Sequence, residues 1–389
     1  MDTRTQGILT LIKSAITGEK LPLPQEFSLE DAMEQIKRHS LQAMAYQGAF
    51  LCGIPSGESA MAALLQRYYI GLMRSEAQMA ALKSLMDAFE EAGIDHMPVK
   101  GVILKPLYPK PELRSMGDAD ILIRLEQYDR IVPIMEALGY QFKKETDHEL
   151  VWISDRLNVE LHKRLIPSYN LDYAGYYGDG WQLAKQRKGC RFEMGEEDTF
   201  VYLFSHYAKH YRDGGIGCRH VADLWLWRRT HPHMDEAYIG QEIKKLGLEA
   251  FYGNTLRLLW MWFGDGPADD IVEFMTEYIF ASGNFGMLEN RVLSRGLKTM
   301  KQKQSLRGEW FRQLMVGLFP GLTFMKKQYP VLEKCPWLLP LFWLVRVFDK
   351  LLFQRKKPEY LRRSLTVFRE ENLDAHQKAL RYVGLDYRF

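Results

Sequence analysis

Cysteine is scarce. There are four in 389 residues, Cys52, Cys190, Cys218 and Cys335, and no two are spaced as C-x-x-C. This argues against a disulfide-stapled scaffold and fits a reducing compartment, so a cytoplasmic location is expected. Long apolar runs are also missing. The nearest, Trp337–Val347 (WLLPLFWLVRV), is broken by Pro340 and Arg346. It falls short of the roughly 18 to 20 residues that span a membrane. The first residues, MDTRTQGILTLIKSAITGEKLPLP, have neither a long apolar stretch nor a small-residue cleavage site, so no signal peptide is expected. A net charge of +3 is too small to argue by itself for a nucleic-acid partner. No internal repeat and no low-complexity tract stands out. What is present, 47% hydrophobic and 26% charged residues, is ordinary for a soluble globular protein long enough for two or three domains.

Periodicity and punctuation suggest three regions. Residues 1–92 read as helical. Ser28 is placed to cap a helix with Asp31 three residues on, and apolar residues recur at helical spacing from Ser59 to Ala92, where Gly93 stops them. Residues 93–165 read as a mixed α+β core. It has strands at Ile94–Lys100, Asp118–Ile123, Tyr140–Lys144, Glu149–Ser154 and Asn158–His162, with helices at Val102–Leu107 and Gln127–Leu138. Such a string implies a small mixed sheet with helices on one side. Residues 166–389 read as mostly helical, with candidates at Asp198–Tyr211, Gly217–Arg229, Asp235–Lys245, Leu248–Phe263 and Asp270–Phe280. The fold class expected is therefore α+β, a small sheet flanked by N-terminal helices and a larger helical C-terminal region.

The stretch Val99–Arg124 (VKGVILKPLYPKPELRSMGDADILIR) carries the densest chemistry. Asp118 and Asp120 stand two residues apart on a strand, so they share a face. A Lys100-Gly101 turn and Arg114 precede them. Paired carboxylates beside cationic groups suit a divalent cation and a polyphosphate.

The succession Lys100-Gly101, Arg114, Met116-Gly117-Asp118-Ala119-Asp120-Ile121-Leu122-Ile123 resembles the uncharacterised bacterial nucleotidyltransferase family of the polymerase-beta-like superfamily. The resemblance covers about residues 60–230 and is densest over 97–163. It implies an enzyme that moves an NMP from an NTP, ATP among the candidates, to a hydroxyl-bearing acceptor, releasing pyrophosphate with the help of two Mg²⁺ ions or of Mn²⁺. Asp118 and Asp120 would hold both metals. The third carboxylate that the resemblance requires is assigned to Glu160, in Asn158-Val159-Glu160-Leu161-His162, as ligand and helper in deprotonating the acceptor. Superfamily members more often carry Asp there. Lys100 and Gly101 stand where the superfamily has a Gly-Ser helix opening, and with Arg114 they would grip the triphosphate.

Downstream, His206 and His210 share a helix face at i and i+4. By the same resemblance they line the cleft together with Arg219 and Asp223, and His162 is a further candidate. The alternatives stay open: a structural network, Arg219 paired with Asp223, or a zinc site with Cys218 and His220, which lacks an H-E-x-x-H glutamate. The basic stretch Arg291–Arg307 reads as a solvated face, and nucleic acid is a disfavoured partner. The aromatic tail from Trp310 to Lys357 suits either a buried helical pair or weak peripheral membrane contact. Two other readings accompany the enzyme: a non-catalytic nucleotide- or ligand-binding protein of the same fold, and a membrane-surface or partner-binding protein acting through the tail. The base of the NTP, the acceptor (small molecule, protein or RNA end) and the oligomeric state are not written in the sequence.

Overall fold

The computed structural model describes residues 1–284, 286–301, 319, 321–322, 325–326, 329–353 and 370–387. The chain divides into two compact units, one of Met1–Gly286 with Tyr382–Arg388, the other of Met287–Arg381.

The first unit opens with four helices: α1 (Thr3–Thr17), α2 (Leu29–Arg38), α3 (Gln42–Cys52) and α4 (Ser59–Glu91). Ser28 accepts from the Asp31 N–H as its spacing suggests, satisfying a first-turn donor of α2. Strand β1 (His96–Val99) leads into the single turn α5 (Gly101–Leu104), then β2 (Asp118–Ile123), α6 (Tyr128–Ala137), β3 (Gln141–Glu145), β4 (Glu149–Ile153) and β5 (Asn158–His162). A short α7 (Leu171–Tyr177) precedes a hairpin, β6 (Ala184–Lys188) and β7 (Arg191–Met194). The unit continues with α8 (Glu196–Asp213), α9 (Cys218–Thr230), α10 (Glu236–Lys245), α11 (Glu249–Phe263) and α12 (Asp270–Ser282).

The strands form one seven-stranded mixed sheet in the order β3-β4-β5-β2-β1-β7-β6. This extends the core expected to end at residue 165. The β6–β7 hairpin, in a region expected to be mostly helix, returns to the sheet, and β7 pairs parallel with β1. Strand β6, Ala184–Lys188 (AKQRK), is largely solvated, and β7 offers only Phe192 and Met194, too short an alternation to signal a strand.

Side-chain alternation gives the sheet two unlike faces. Ala119, Ile121 and Ile123 of β2 join Val159 and Leu161 of β5 and Leu150 and Trp152 of β4 in one buried cluster. Leu85 and Phe89 of α4 and Ile131 and Met135 of α6 complete it. Each Val, Leu, Ile, Phe or Met among them contributes about 1.5–3 kcal/mol by leaving water. The opposite face carries polar groups, and α8 and α9 approach it across a cavity, so helices lie on both faces and not on one as expected.

The second unit's described helices are α13 (Leu288–Lys301), α14 (Val331–Lys334), α15 (Leu339–Phe353) and α16 (Glu370–Tyr382). Ser294 and His376 are within hydrogen-bonding distance at 3.3 Å. Part of the basic stretch, residues 302–307, and most of the 310–328 part of the tail lie outside the described residues. Helix α15 includes most of the aromatic segment and leaves Leu341 and Leu344 exposed, as is Trp337 just before it. Among the described residues no helix is long and apolar enough to cross a membrane.

Candidate active site

Strands β2 and β5 run parallel, with Asp120 beside Glu160 and Asp118 beside Asn158. On β4, Glu149 lies beside His162 across the antiparallel pair. Period-two alternation therefore gathers Asp118, Asp120, Glu149, Glu160 and His162 on the same sheet face. This face is one wall of a cavity of about 420 Å³, whose other wall comes from α8 and α9. Lys100, Gly101, Arg114, Asp118, Asp120, Glu160, His206, His210, Arg219 and Asp223 all line it. His162 is not part of the lining. It sits behind Asp120, 1% exposed, with Nε2 2.8 Å from Asp120 Oδ1.

The carboxylates crowd one another. Burial and the neighbouring Asp120 push Asp118 above the usual carboxylate range. Burial, Asp118 and Asp120 push Glu160 up as well. For Asp120 burial acts in the same direction, but the Lys100 ammonium and the His162 ring outweigh it and hold it well below that range. Ligand atoms of Asp120, Glu160 and His162 lie within 4.8 Å of one another, as do those of His148, Glu149 and His162. Hard carboxylate oxygens gathered in this way fit a divalent cation, whereas His162 Nε2 is already engaged by Asp120.

Two of the expected phosphate contacts have other partners. Lys100 leaves β1 with φ 49°, a strained turn for a residue other than glycine, and its Nζ lies 2.7 Å from Asp120 Oδ1. Burial is the largest single influence and lowers the Lys100 pKa, but the Asp120 carboxylate, together with Tyr202 and Glu160, outweighs it, so the ammonium keeps its proton. Arg114 is engaged by Asp223. Its Nε and Nη2 donate to Asp223 Oδ1 and Oδ2, both at 2.8 Å, and both residues are buried. Tyr108 donates to the same Oδ1 at 2.8 Å. A buried charge needs such pairing, and it fastens α9 to the loop before β2. Asp223 is thus the partner of Arg114, and the pairing of Arg219 with Asp223 does not form. Arg219 Nη1 instead donates to the Ser115 carbonyl at 2.7 Å.

Gly101 is where the backbone and Arg114 meet. A Cβ there would stand 3.0 Å from Arg114 Nη1 and 3.4 Å from the Met116 side chain. The helix expected over Val102–Leu107 is only one α turn followed by a 3₁₀ turn, Lys105–Leu107, so little helix dipole faces the cavity.

On the other wall, the His206 and His210 rings are 4.4 Å apart, with His220 at 6.5 and 6.4 Å from them. Burial, aided by His210, holds His206 well below its ordinary pKa. Burial and the Arg219 guanidinium push His220 down to about 3. Both rings are neutral at pH 7. The zinc arrangement does not form, because buried Cys218 places Sγ 3.4 Å from His39 Nδ1.

Several neighbours escaped sequence reasoning. His148, Glu149, Tyr169 and Lys209 also line the cavity. Lys105 is 1% exposed and donates to the carbonyls of Pro111 and Arg114, both at 2.9 Å, pinning the loop that carries Arg114. One signal for Lys105 was available: a lone cation inside the apolar run VILKPLY. Glu149 opens a strand whose other residues are apolar, which marks it only once its strand partner is known.

A comparison with functionally curated proteins finds no match. Among solved structures, the solution structure of the antibiotic-resistance factor ANT(2'')-Ia is similar at 12% identity with a TM-score of 0.32. The likeness covers 48% of this chain and 97% of that one. The family described as uncharacterised nucleotidyltransferase matches residues 25–264, more than half of the chain and all of the cavity's lining. By that match the chain belongs to the uncharacterised nucleotidyltransferase family.

Proposed function

We propose that this nucleotidyltransferase moves an NMP from an NTP to a hydroxyl-bearing acceptor with release of pyrophosphate, dependent on Mg²⁺ or Mn²⁺. The observation that carries this reading is the pairing of Asp120 with Glu160 across β2 and β5, with Asp118 on the same cavity-facing surface. Asp118, Asp120 and Glu160 would hold the cation. Once bound, a divalent ion supplies Lewis-acid polarisation of the phosphoryl oxygens and stabilises the leaving pyrophosphate.

The remaining work falls to the chain. Glu160 lines the cavity and, with its affinity for a proton raised, is the base assigned to the acceptor hydroxyl. His162 supports Asp120 from behind, fixing the carboxylate through Nε2. Lys100 neutralises Asp120 and fixes its carboxylate from the β1 side. Arg114 and Asp223 hold the α9 wall in register with β2 and do not clamp phosphate directly. The acceptor, a small molecule, a protein or an RNA end, meets the wall built from residues after 166.

A nucleotide binder without turnover is the second reading, favoured by the ion pair that Lys100 makes with Asp120. Incubating the full chain with each α-³²P-labelled NTP, Mg²⁺ and cell-extract fractions separates the two. Transfer of label with pyrophosphate release supports the transferase, and binding without release supports the binder. Label that persists in the Asp118→Asn/Asp120→Asn double variant would place the site elsewhere.

A further inference from the structure

The sequence assigns the triphosphate to Lys100 and Arg114, yet in the structure both have carboxylate partners, Asp120 and Asp223. A nucleoside triphosphate brings about three to four negative charges into the cavity, and its β and γ groups need N–H donors as well as the cation. We infer that Arg219, His206 and His220, on the α8–α9 wall, form the β,γ-phosphate subsite. This inference rests on the transferase reading above and assigns its polyphosphate grip.

Three observations point the same way. First, Arg219 lines the cavity, and it forms no ion pair with a carboxylate among the described residues. Its guanidinium donates from Nη1 to the Ser115 carbonyl and hydroxyl. That anchors the side chain at one corner and leaves the rest of its fork of five donors for a ligand. Second, three buried nitrogens of this wall have no hydrogen-bond partner: Arg219 Nε, His206 Nδ1 and His220 Nδ1. Buried nitrogens without a partner are costly, and a phosphate oxygen would satisfy Arg219 Nε and each ring nitrogen that carries the proton. Third, each of these imidazoles is neutral and has a single N–H to offer a phosphate oxygen, while Arg219 supplies the fixed charge. The acidic sheet face and this donor wall then bracket the polyphosphate from two sides, one through the cation and one directly. An anionic acceptor would be drawn to the same donors, so the test must separate it from the nucleotide's own phosphates.

The test uses the full-length chain in Mg²⁺ and compares binding of each NTP with binding of the matching NMP by calorimetry. The unmodified protein is expected to bind at least one NTP about tenfold or more tightly than its NMP. In Arg219→Gln that gap should shrink toward unity with the NMP affinity unchanged. His206→Gln and His220→Gln should each narrow it several-fold. Inorganic tripolyphosphate should displace the NTP from the unmodified protein. It should also protect His206 and His220 from diethyl pyrocarbonate, read by peptide mass spectrometry, a result that holds even where a variant does not fold. An Arg219→Gln protein that keeps the full NTP-to-NMP gap, or equal loss of NTP and NMP affinity, overturns the subsite. So does NTP binding with no protection of either histidine. If the unmodified protein binds no NTP at all, the transferase reading itself fails and takes the subsite with it.

Discussion

Arg114 and Asp223 bear on how a single side chain can be read. An arginine upstream of a D-x-D pair invites assignment to phosphate, and burial overrides it. With both side chains about 5% exposed, the two charges satisfy each other, and removing one leaves the other stranded. Asp223→Ala is therefore expected to destabilise the protein by about 3–5 kcal/mol, read as a lowered midpoint of urea unfolding. A loss below about 1 kcal/mol would mean the pair is not the clasp described. Asp120→Asn acts differently. It removes the negative charge that both Lys100 and His162 attend, so turnover should fall by at least about a hundredfold, as for loss of a group that stabilises transition-state charge. Lys100 loses its buried partner as well, so the melting temperature is also expected to fall. Gly101→Ala places a methyl 3.0 Å from Arg114 Nη1, and the expected result is a modest loss of stability with a larger loss of NTP turnover.

At the scale of elements, the sheet's two faces decide what each strand does. The apolar face of β2 against α4 and α6 is a conventional core. Phe89→Ala, fully buried in it, should cost about 3–5 kcal/mol. On the polar face like charge is concentrated on Asp118 and Glu160, both pushed up by burial and by neighbouring carboxylates, while Lys100 and His148 hold Asp120 and Glu149 down. A divalent cation should relieve the repulsion there. Adding millimolar Mg²⁺ or Mn²⁺ is therefore expected to raise the melting temperature of the unmodified chain, and EDTA to reverse the rise. In Asp118→Asn/Asp120→Asn the shift should disappear. A shift of equal size in that variant would locate the cation outside this face. The β6–β7 hairpin shows what an element can hide. Its residues are mostly solvated, so their pairing with β1 rests on backbone hydrogen bonds such as His96 N–H to the Cys190 carbonyl. Such bonds leave no trace in side-chain periodicity.

For the whole molecule, acid is the informative stress. His39 is 1% exposed and joins α2 to α12, with Nε2 3.0 Å from the Phe280 carbonyl. Burial pushes it down to about 4, against that carbonyl's opposing pull. Between pH 6.5 and 4 the unfolded chain binds a proton here that the folded chain refuses. Stability therefore rises with pH through this window and is lost as pH falls through it. His206 and His220 act with the same sign. The melting temperature should drop as pH is lowered from 6.5 to 4, with a shallower slope in His39→Gln. Parallel slopes for the two proteins would remove His39 from the account.

The sequence by itself determined the elements with strong local signals and the chemistry carried within a strand. Helix α2 follows from the Ser28 cap, and α4 from its apolar spacing ended by Gly93. The shared face of Asp118 and Asp120 follows from the period of two, and the family resemblance added Glu160. These depend on neighbours within a few residues, where periodicity and capping act. Tertiary structure alone decided which charge meets which. Lys100 meets Asp120, 20 residues away, and Arg114 meets Asp223, 109 residues away. Ion pairing is set by distance in space and by burial, and one sequence read along its length encodes neither directly. The same reason explains why Glu149 joins the acidic face and why β6–β7 joins the sheet. Each depends on a partner strand whose register only the folded chain fixes.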